Sequence, residues 1–205
     1  MPVRHDISTA VINLLMAAQC FYLALRIRRL PTRSVGSGYW YAGYLIIGVG
    51  GMLAAIYHAI DLPLWLFRLI YVGIIALAGT LFLAVAFDTL PARTAARLKP
   101  ALIGLAVLLL VAVQLEPNRL PIVAGFLGFT VLVGMLLYIL RWREGTLAGA
   151  GWMAAGMILT LTGIVLMVAG VGVTLIWALD HNGLYHVFQM TGLLLFYQGL
   201  RLRPA

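Results

Sequence analysis

Charged side chains are scarce in this sequence. Only 10% of its 205 residues are charged, and only six are acidic. Soluble domains carry about 25% charged residues, so the composition excludes a water-soluble globular fold with a polar shell. The hydrophobic share is 63% and the mean hydropathy is +1.04. Lipid must therefore be the solvent for most side chains.

Cysteine and long polar segments are nearly absent as well. Cys20 is the single cysteine, so an internal disulfide is excluded, and we expect it to pack as a small apolar residue. No connection between apolar runs is long enough to fold by itself. We predict one transmembrane domain over residues 1–205.

Long apolar runs dominate what is present. A membrane-spanning helix needs about 20 such residues, and we count seven runs, at residues 7–25, 39–60, 64–87, 101–115, 120–140, 148–171 and 183–200. Residues 172–180 either prolong the sixth helix or form an outer loop. Six prolines fall between the runs or at their edges: Pro31, Pro63, Pro91, Pro100, Pro117 and Pro121. The predicted fold class is all-α, an integral membrane bundle of seven transmembrane helices.

The basic residues predict the orientation of this bundle. Eleven of the fourteen lie in connections on the C-terminal side of the bundle and three on the other, and basic loops stay in the cytoplasm. We expect an N-terminus outside, a cytoplasmic C-terminus, and no nucleic-acid partner despite the net charge of +8. Thirteen of the fourteen bases are Arg. That composition favours a bacterial inner membrane.

All four histidines fall on the predicted outer side: His5, His58, His181 and His186. Asn182, His186 and Gln189 share one helical stripe at the start of the seventh span, at spacings of four and three. His58 ends the second span at a similar depth. Histidine is the commonest metal ligand. Three interpretations stay open: histidines that only join helices, a bound metal ion, and haem held by His58 and His186.

Two further charged residues have local interpretations. Arg68, one turn inside the third span, is an interface anchor, a partner for Asp61 or Asp180, or a clamp for a lipid phosphate. Asp88, near the inner end of the same span, is expected to pair with Arg93. The glycines Gly48, Gly50 and Gly51 would let another helix approach the second span closely.

At these residues the pattern resembles the seven-helix CREST superfamily, which includes alkaline ceramidases and the progestin and adiponectin receptors. Its members hold zinc with one histidine on the second helix and a His-x-x-x-His pair on the seventh. His58 and His186 match two of these positions, and Asn182 occupies the third. The opening from His181 to Gln189 also looks like that of an uncharacterised bacterial seven-helix membrane family.

This resemblance implies a zinc-dependent membrane hydrolase that acts on a lipid amide or ester at the outer end of the bundle. The ligands would be His58, His181 and His186, with Asp61 or Asp180 as a general base or ligand-orienting group. Arg68, Asn182 and Gln189 would bind substrate, and membrane lipids would be the partners. The alternative is a non-enzymatic protein, a receptor-like sensor or an assembly subunit, with structural histidines and no cofactor.

Overall fold

The computed structural model describes residues 7–31, 34–60, 64–115, 120–174 and 178–204. These ranges contain seven α-helices and two short strands, which confirms the all-α prediction. The elements are α1 (Ile7–Arg28), α2 (Val35–Ala59), α3 (Leu64–Thr89), α4 (Ala92–Leu115), α5 (Leu120–Arg143), α6 (Ala150–Val168), β1 (Val173–Thr174), β2 (Ala178–Leu179) and α7 (His181–Arg201).

Six of these seven helices, α1 to α6, are long and apolar enough to cross a membrane. Large apolar side chains also cover the outside of the bundle, such as Leu108, Leu115 and Val168, which are 64%, 81% and 65% exposed. Continuous apolar surface of this kind needs lipid around it. The chain is therefore an integral membrane protein. α7 is not among the six because polar residues occupy its first two and a half turns.

The helices form a ring in which α1, α2, α3, α5, α6 and α7 each contact the next, and α7 contacts α1. α4 lies outside the ring, mainly against α3. Connections are short, so consecutive helices alternate in direction. We call the end where α1, α3, α5 and α7 finish the basic end, after its Arg and Lys residues, and the opposite end the histidine end.

Glycines set the closest helix contacts. On α6, Gly156 faces Gly192 of α7, and a Cβ on Gly156 would lie 2.9 Å from the Gly192 carbonyl oxygen. On α2, a Cβ on Gly48 would meet the Phe21 ring at 2.9 Å, and one on Gly51 would meet the Asn13 carbonyl oxygen at 3.0 Å. Two of the three predicted close-contact glycines are confirmed. The third, Gly50, has nothing within 4 Å of a built Cβ.

The predicted proline boundaries are wrong at one position. Pro100 lies inside α4, which begins at Ala92 instead of residue 101. Proline removes one backbone donor, but the helix can continue on both sides of it. Pro121 lies in the first turn of α5, where its missing N–H has no helical partner to lose. Pro63 and Pro117 lie outside the described residues.

The connection before α7 does not prolong a helix, so the loop alternative predicted for residues 172–180 is confirmed for the described residues of this segment. β1 and β2 pair antiparallel, with Val173 opposite Leu179 and Thr174 opposite Ala178. Asp180 follows as the N-cap of α7. This hairpin therefore delivers the chain directly to the start of the polar helix.

Candidate functional site

Asp180 organises the histidine end. Its Oδ1 accepts the Gly183 backbone N–H at 2.7 Å and the Thr9 hydroxyl at 3.0 Å, and its Oδ2 accepts Asn182 Nδ2 at 3.3 Å. An aspartate in this position caps the helix and complements its dipole. Because Thr9 belongs to α1, the same carboxylate also ties α7 to α1.

The predicted polar stripe of α7 points into the protein. Gln189 is 7% exposed, and its Oε1 lies 3.2 Å from Nδ1 of the half-buried His186. Because Oε1 can only accept, this contact is a hydrogen bond in the tautomer that carries its proton on Nδ1. The His58 ring on α2 lies within electrostatic range of His186. The structure thus joins His186 to Gln189 and places His58 at the same end of the bundle.

His181 does not join this group. It is the first residue of α7, so it stands five residues before His186 in a regular helix, about 140° away around the axis. Among the residues that the structure describes, no three His, Cys, Asp or Glu side chains are grouped to hold a metal ion. His58 and His186 therefore lie at the same end of the bundle, and in a regular helix His181 stands on a different face of α7 from His186.

The remaining predicted residues have separate environments. Asn182 donates to Asp180, as given above. Arg68 lies near the start of α3, and its buried Nε makes no hydrogen bond within the described part of the chain. Asp61 and His5 lie outside the described residues.

Helix α1 contributes Asn13, which was expected to form hydrogen bonds between helices, and Thr9, which the sequence pattern did not single out. Thr9 and Asn13 are fully buried, with 0% exposure each, and Asn13 Nδ2 donates to the Thr9 carbonyl at 2.9 Å. Asn13 Oδ1 is buried without a hydrogen-bond partner in the described ranges. The signal was present in the sequence, because two polar residues four apart in an apolar helix mark one face that avoids lipid.

A small cavity lies in the middle of the bundle. Its volume is about 20 Å³, which is enough for one water molecule. Most of the wall is apolar, and the polar side chains that line it are Trp40, Tyr44, Thr160 and Gln189. Tyr44 donates its hydroxyl proton to the Leu193 carbonyl at 2.5 Å. Through Gln189, the wall of this cavity is continuous with the polar stripe at the histidine end.

A second polar cluster lies at the basic end, around Asp88. The Asp88 side chain is 1% exposed. Its carboxylate accepts Trp40 Nε1 at 2.7 Å, the Tyr138 hydroxyl at 2.6 Å, and both terminal nitrogens of Arg203 at 2.6 and 2.7 Å. The predicted partner Arg93 is wrong, since Arg93 is exposed near the start of α4. A buried carboxylate needs several donors, and four are supplied here from distant parts of the sequence.

Comparison with known proteins now places the chain in a family. The sequence profile of DUF6962, a family of unknown function, matches residues 8–204. The chain belongs to DUF6962. No curated protein and no solved structure matches it. Membership in DUF6962 assigns no reaction and no ligand, so the argument for function rests on the two polar clusters and the cavity between them.

Proposed function

We propose that the protein is a non-enzymatic seven-helix membrane protein, a receptor-like sensor or an assembly subunit, in which the polar residues at the histidine end join helices. The observation that carries this proposal is the use of the Asp180 carboxylate to join helices. Both of its oxygens accept hydrogen bonds, from the α7 backbone, from Asn182 and from Thr9. Three of the roughly four lone-pair positions of the carboxylate are thereby occupied within the protein.

The bond between His186 and Gln189 supports the same role. Polar side chains within a membrane are costly unless they are paired inside the protein, and this pair satisfies one nitrogen of the imidazole. Alanine at His186 would leave the buried Gln189 amide without that partner. We expect a loss of about 1–3 kcal/mol in the free energy of unfolding.

Metal content and stability of the purified protein test the proposal together. Elemental mass spectrometry on the wild type and on His186→Ala should detect no stoichiometric zinc, and the variant should unfold more easily. Zinc near one ion per chain that disappears in the variant would refute the proposal. Zinc-free samples of equal stability would refute it as well, since the histidine would then join nothing.

A zinc-dependent lipid hydrolase is a second candidate, favoured by the nearness of His58 and His186. The Nδ1 bond to Gln189 is the kind of contact that orients a metal-bound histidine. The described residues supply two ligands, whereas a catalytic zinc has three protein ligands and an open position for water. The described donors therefore do not complete the site. Asp61, one of the two acids proposed as a general base, lies outside the described residues.

For the membrane orientation, we propose that the basic end faces the cytoplasm of a bacterial cell. The support is the grouping of basic residues at that end, where Arg26 and Arg28 lie in the last turn of α1 and Arg201 ends α7. A green fluorescent protein fused to the C-terminus should fluoresce, and alkaline phosphatase fused there should be inactive. The opposite pair of results would reverse the orientation.

A further inference from the structure

Arg203 occupies an unusual place for a residue beyond the last helix. α7 ends at Arg201, and two turn bonds follow, from Leu202 N to the Gln198 carbonyl and from Arg203 N to the Leu200 carbonyl. This turn returns the chain toward the bundle. The Arg203 side chain is only 8% exposed, whereas Arg201, two residues earlier, is exposed.

The binding site for Arg203 is formed by side chains from three helices. Asp88 is the last residue but one of α3, Trp40 comes from α2, and Tyr138 comes from α5. Trp40 and Tyr138 are only 1% and 0% exposed. Gly36 completes it, because a Cβ there would lie 2.1 Å from Asp88 Oδ1. The guanidinium binds the carboxylate through two parallel bonds, which is the most specific geometry for this pair.

The position of Trp40 connects this cluster to the interior. Its indole N–H is bonded to Asp88, its ring packs on Phe196 with centroids 5.0 Å apart, and the same side chain lines the central cavity. Going inward from the basic end, the order is therefore Arg203, Asp88, Trp40 and the cavity. On its far side the cavity reaches Gln189, which contacts His186.

We propose that Arg203 is a latch that closes the basic end of the bundle, and that its release opens a route for water and small polar solutes past Trp40 into the central cavity. Arg203 is the outermost member of the series of contacts that runs through Asp88 and Trp40 to the cavity. It belongs to the segment that follows α7, so it can leave Asp88 without unwinding a helix of the bundle. This inference goes beyond the proposed function, because it assigns the protein a closed state and an open state.

Thiol labelling can test the latch, because the chain has one cysteine, Cys20, which is fully buried. The parent for the test carries Cys20→Ala and Thr160→Cys, which puts a thiol of nearly the same size on the cavity wall. A small, membrane-impermeant methanethiosulfonate is added from the basic end. We expect slow labelling in the parent and an increase of at least about tenfold with Arg203→Ala, because one partner of a buried ion pair is removed.

Arg201→Ala is the matched control, since it removes an exposed arginine two residues away, and its labelling should equal that of the parent. Arg203→Ala leaves Asp88 buried and unpaired, which can prevent folding. The double variant Asp88→Asn with Arg203→Gln removes both charges and covers that case, and it should also label faster than the parent. Millimolar ethylguanidinium should restore slow labelling in a folded Arg203→Ala protein, because the cation can refill the site.

Two outcomes would overturn the latch. Labelling at the parent rate in the double variant, and in Arg203→Ala wherever that protein folds, would mean that the ion pair does not control access to the cavity. Equal acceleration by Arg201→Ala and Arg203→Ala would mean that any loss of charge at this end loosens the bundle.

Discussion

The sharpest stability prediction concerns Gly149, the N-cap of α6. Gly149 has φ of +78°, and a Cβ there would lie 2.2 Å from the Gly199 carbonyl oxygen and 2.8 Å from the Gly199 carbonyl carbon. Alanine would meet two separate penalties. The left-handed backbone costs a non-glycine residue about 1–2 kcal/mol, and overpacking a rigid contact costs about 1–3 kcal/mol. We expect Gly149→Ala to lose about 2–5 kcal/mol.

A neighbouring glycine separates the two penalties. Gly145 has φ of +66° and nothing within 4 Å of a built Cβ, so Gly145→Ala meets the backbone penalty alone. The assay is reversible unfolding in mixed detergent and SDS micelles, with the free energy of unfolding measured for the wild type and both variants. Gly149→Ala should be less stable than Gly145→Ala by about 1–3 kcal/mol.

Equal losses for the two variants would refute this reasoning. They would mean that α6 and α7 are not in backbone contact at Gly149 and Gly199, because only that contact distinguishes the two sites. A larger loss at Gly145 would contradict it more strongly. Both substitutions replace glycine by alanine between α5 and α6. The effect of alanine on the unfolded, micelle-bound state is therefore nearly the same in the two variants and largely cancels in the comparison.

Three further predictions can be checked in the same unfolding assay. Gly36→Ala should be clearly destabilising, because its Cβ would lie 2.1 Å from Asp88 Oδ1. Gly38→Ala, whose Cβ would meet nothing within 4 Å, should be neutral or stabilising. The reverse order of stability would contradict the packing at the basic end. Tyr138→Phe should lose about 1.5–3 kcal/mol, since it removes a hydrogen bond to a charged group, and an unchanged stability would show that Asp88 does not need this donor. Asp180→Ala should lose about 0.5–2 kcal/mol as an N-cap, while Asp180→Asn should retain most of that, and equal losses would exclude capping as its role.

The number of helices could be predicted because each apolar run is close to the length that spans a membrane. Their ends were less predictable, since charged residues at a helix terminus can still be helical. α1 continues to Arg28 and α5 to Arg143, where long basic side chains reach water from the last turn. α4 begins nine residues before the predicted start at residue 101, because Pro100 does not stop it.

The candidate site was predictable in part. His58 and His186 were expected at the same end of the bundle because alternating helices bring the end of the second and the start of the seventh together, and the two rings lie within electrostatic range of each other. The fate of His181 depended on where α7 begins, which the Asp180 cap decides. Sequence spacing alone does not fix that point.

The partner of Asp88 could not be found from nearby residues. Arg93 is five positions away, yet Arg203, 115 positions away, makes the bidentate contact. Ring closure between α1 and α7 brings the end of the chain beside α3 and α5. A buried carboxylate binds the cation that can also be buried, and Arg93 is held on a helix that lies outside the ring.

The contrast between α4 and α7 shows how composition assigns the helices their places. α7 carries the polar stripe of Asn182, His186 and Gln189, which would be costly in lipid, and it lies in the ring between α6 and α1 with ten of its 21 residues buried. α4 has polar side chains mainly before Pro100 and an apolar surface after it, and its buried residues are Ala95, Leu102 and Val113. A helix that is apolar on every side gains little by leaving lipid, because lipid tails are as apolar as its own side chains. The helix that is too polar to cross a membrane by itself is therefore packed between two others, and it is the helix that carries the histidine stripe and leads to the latch.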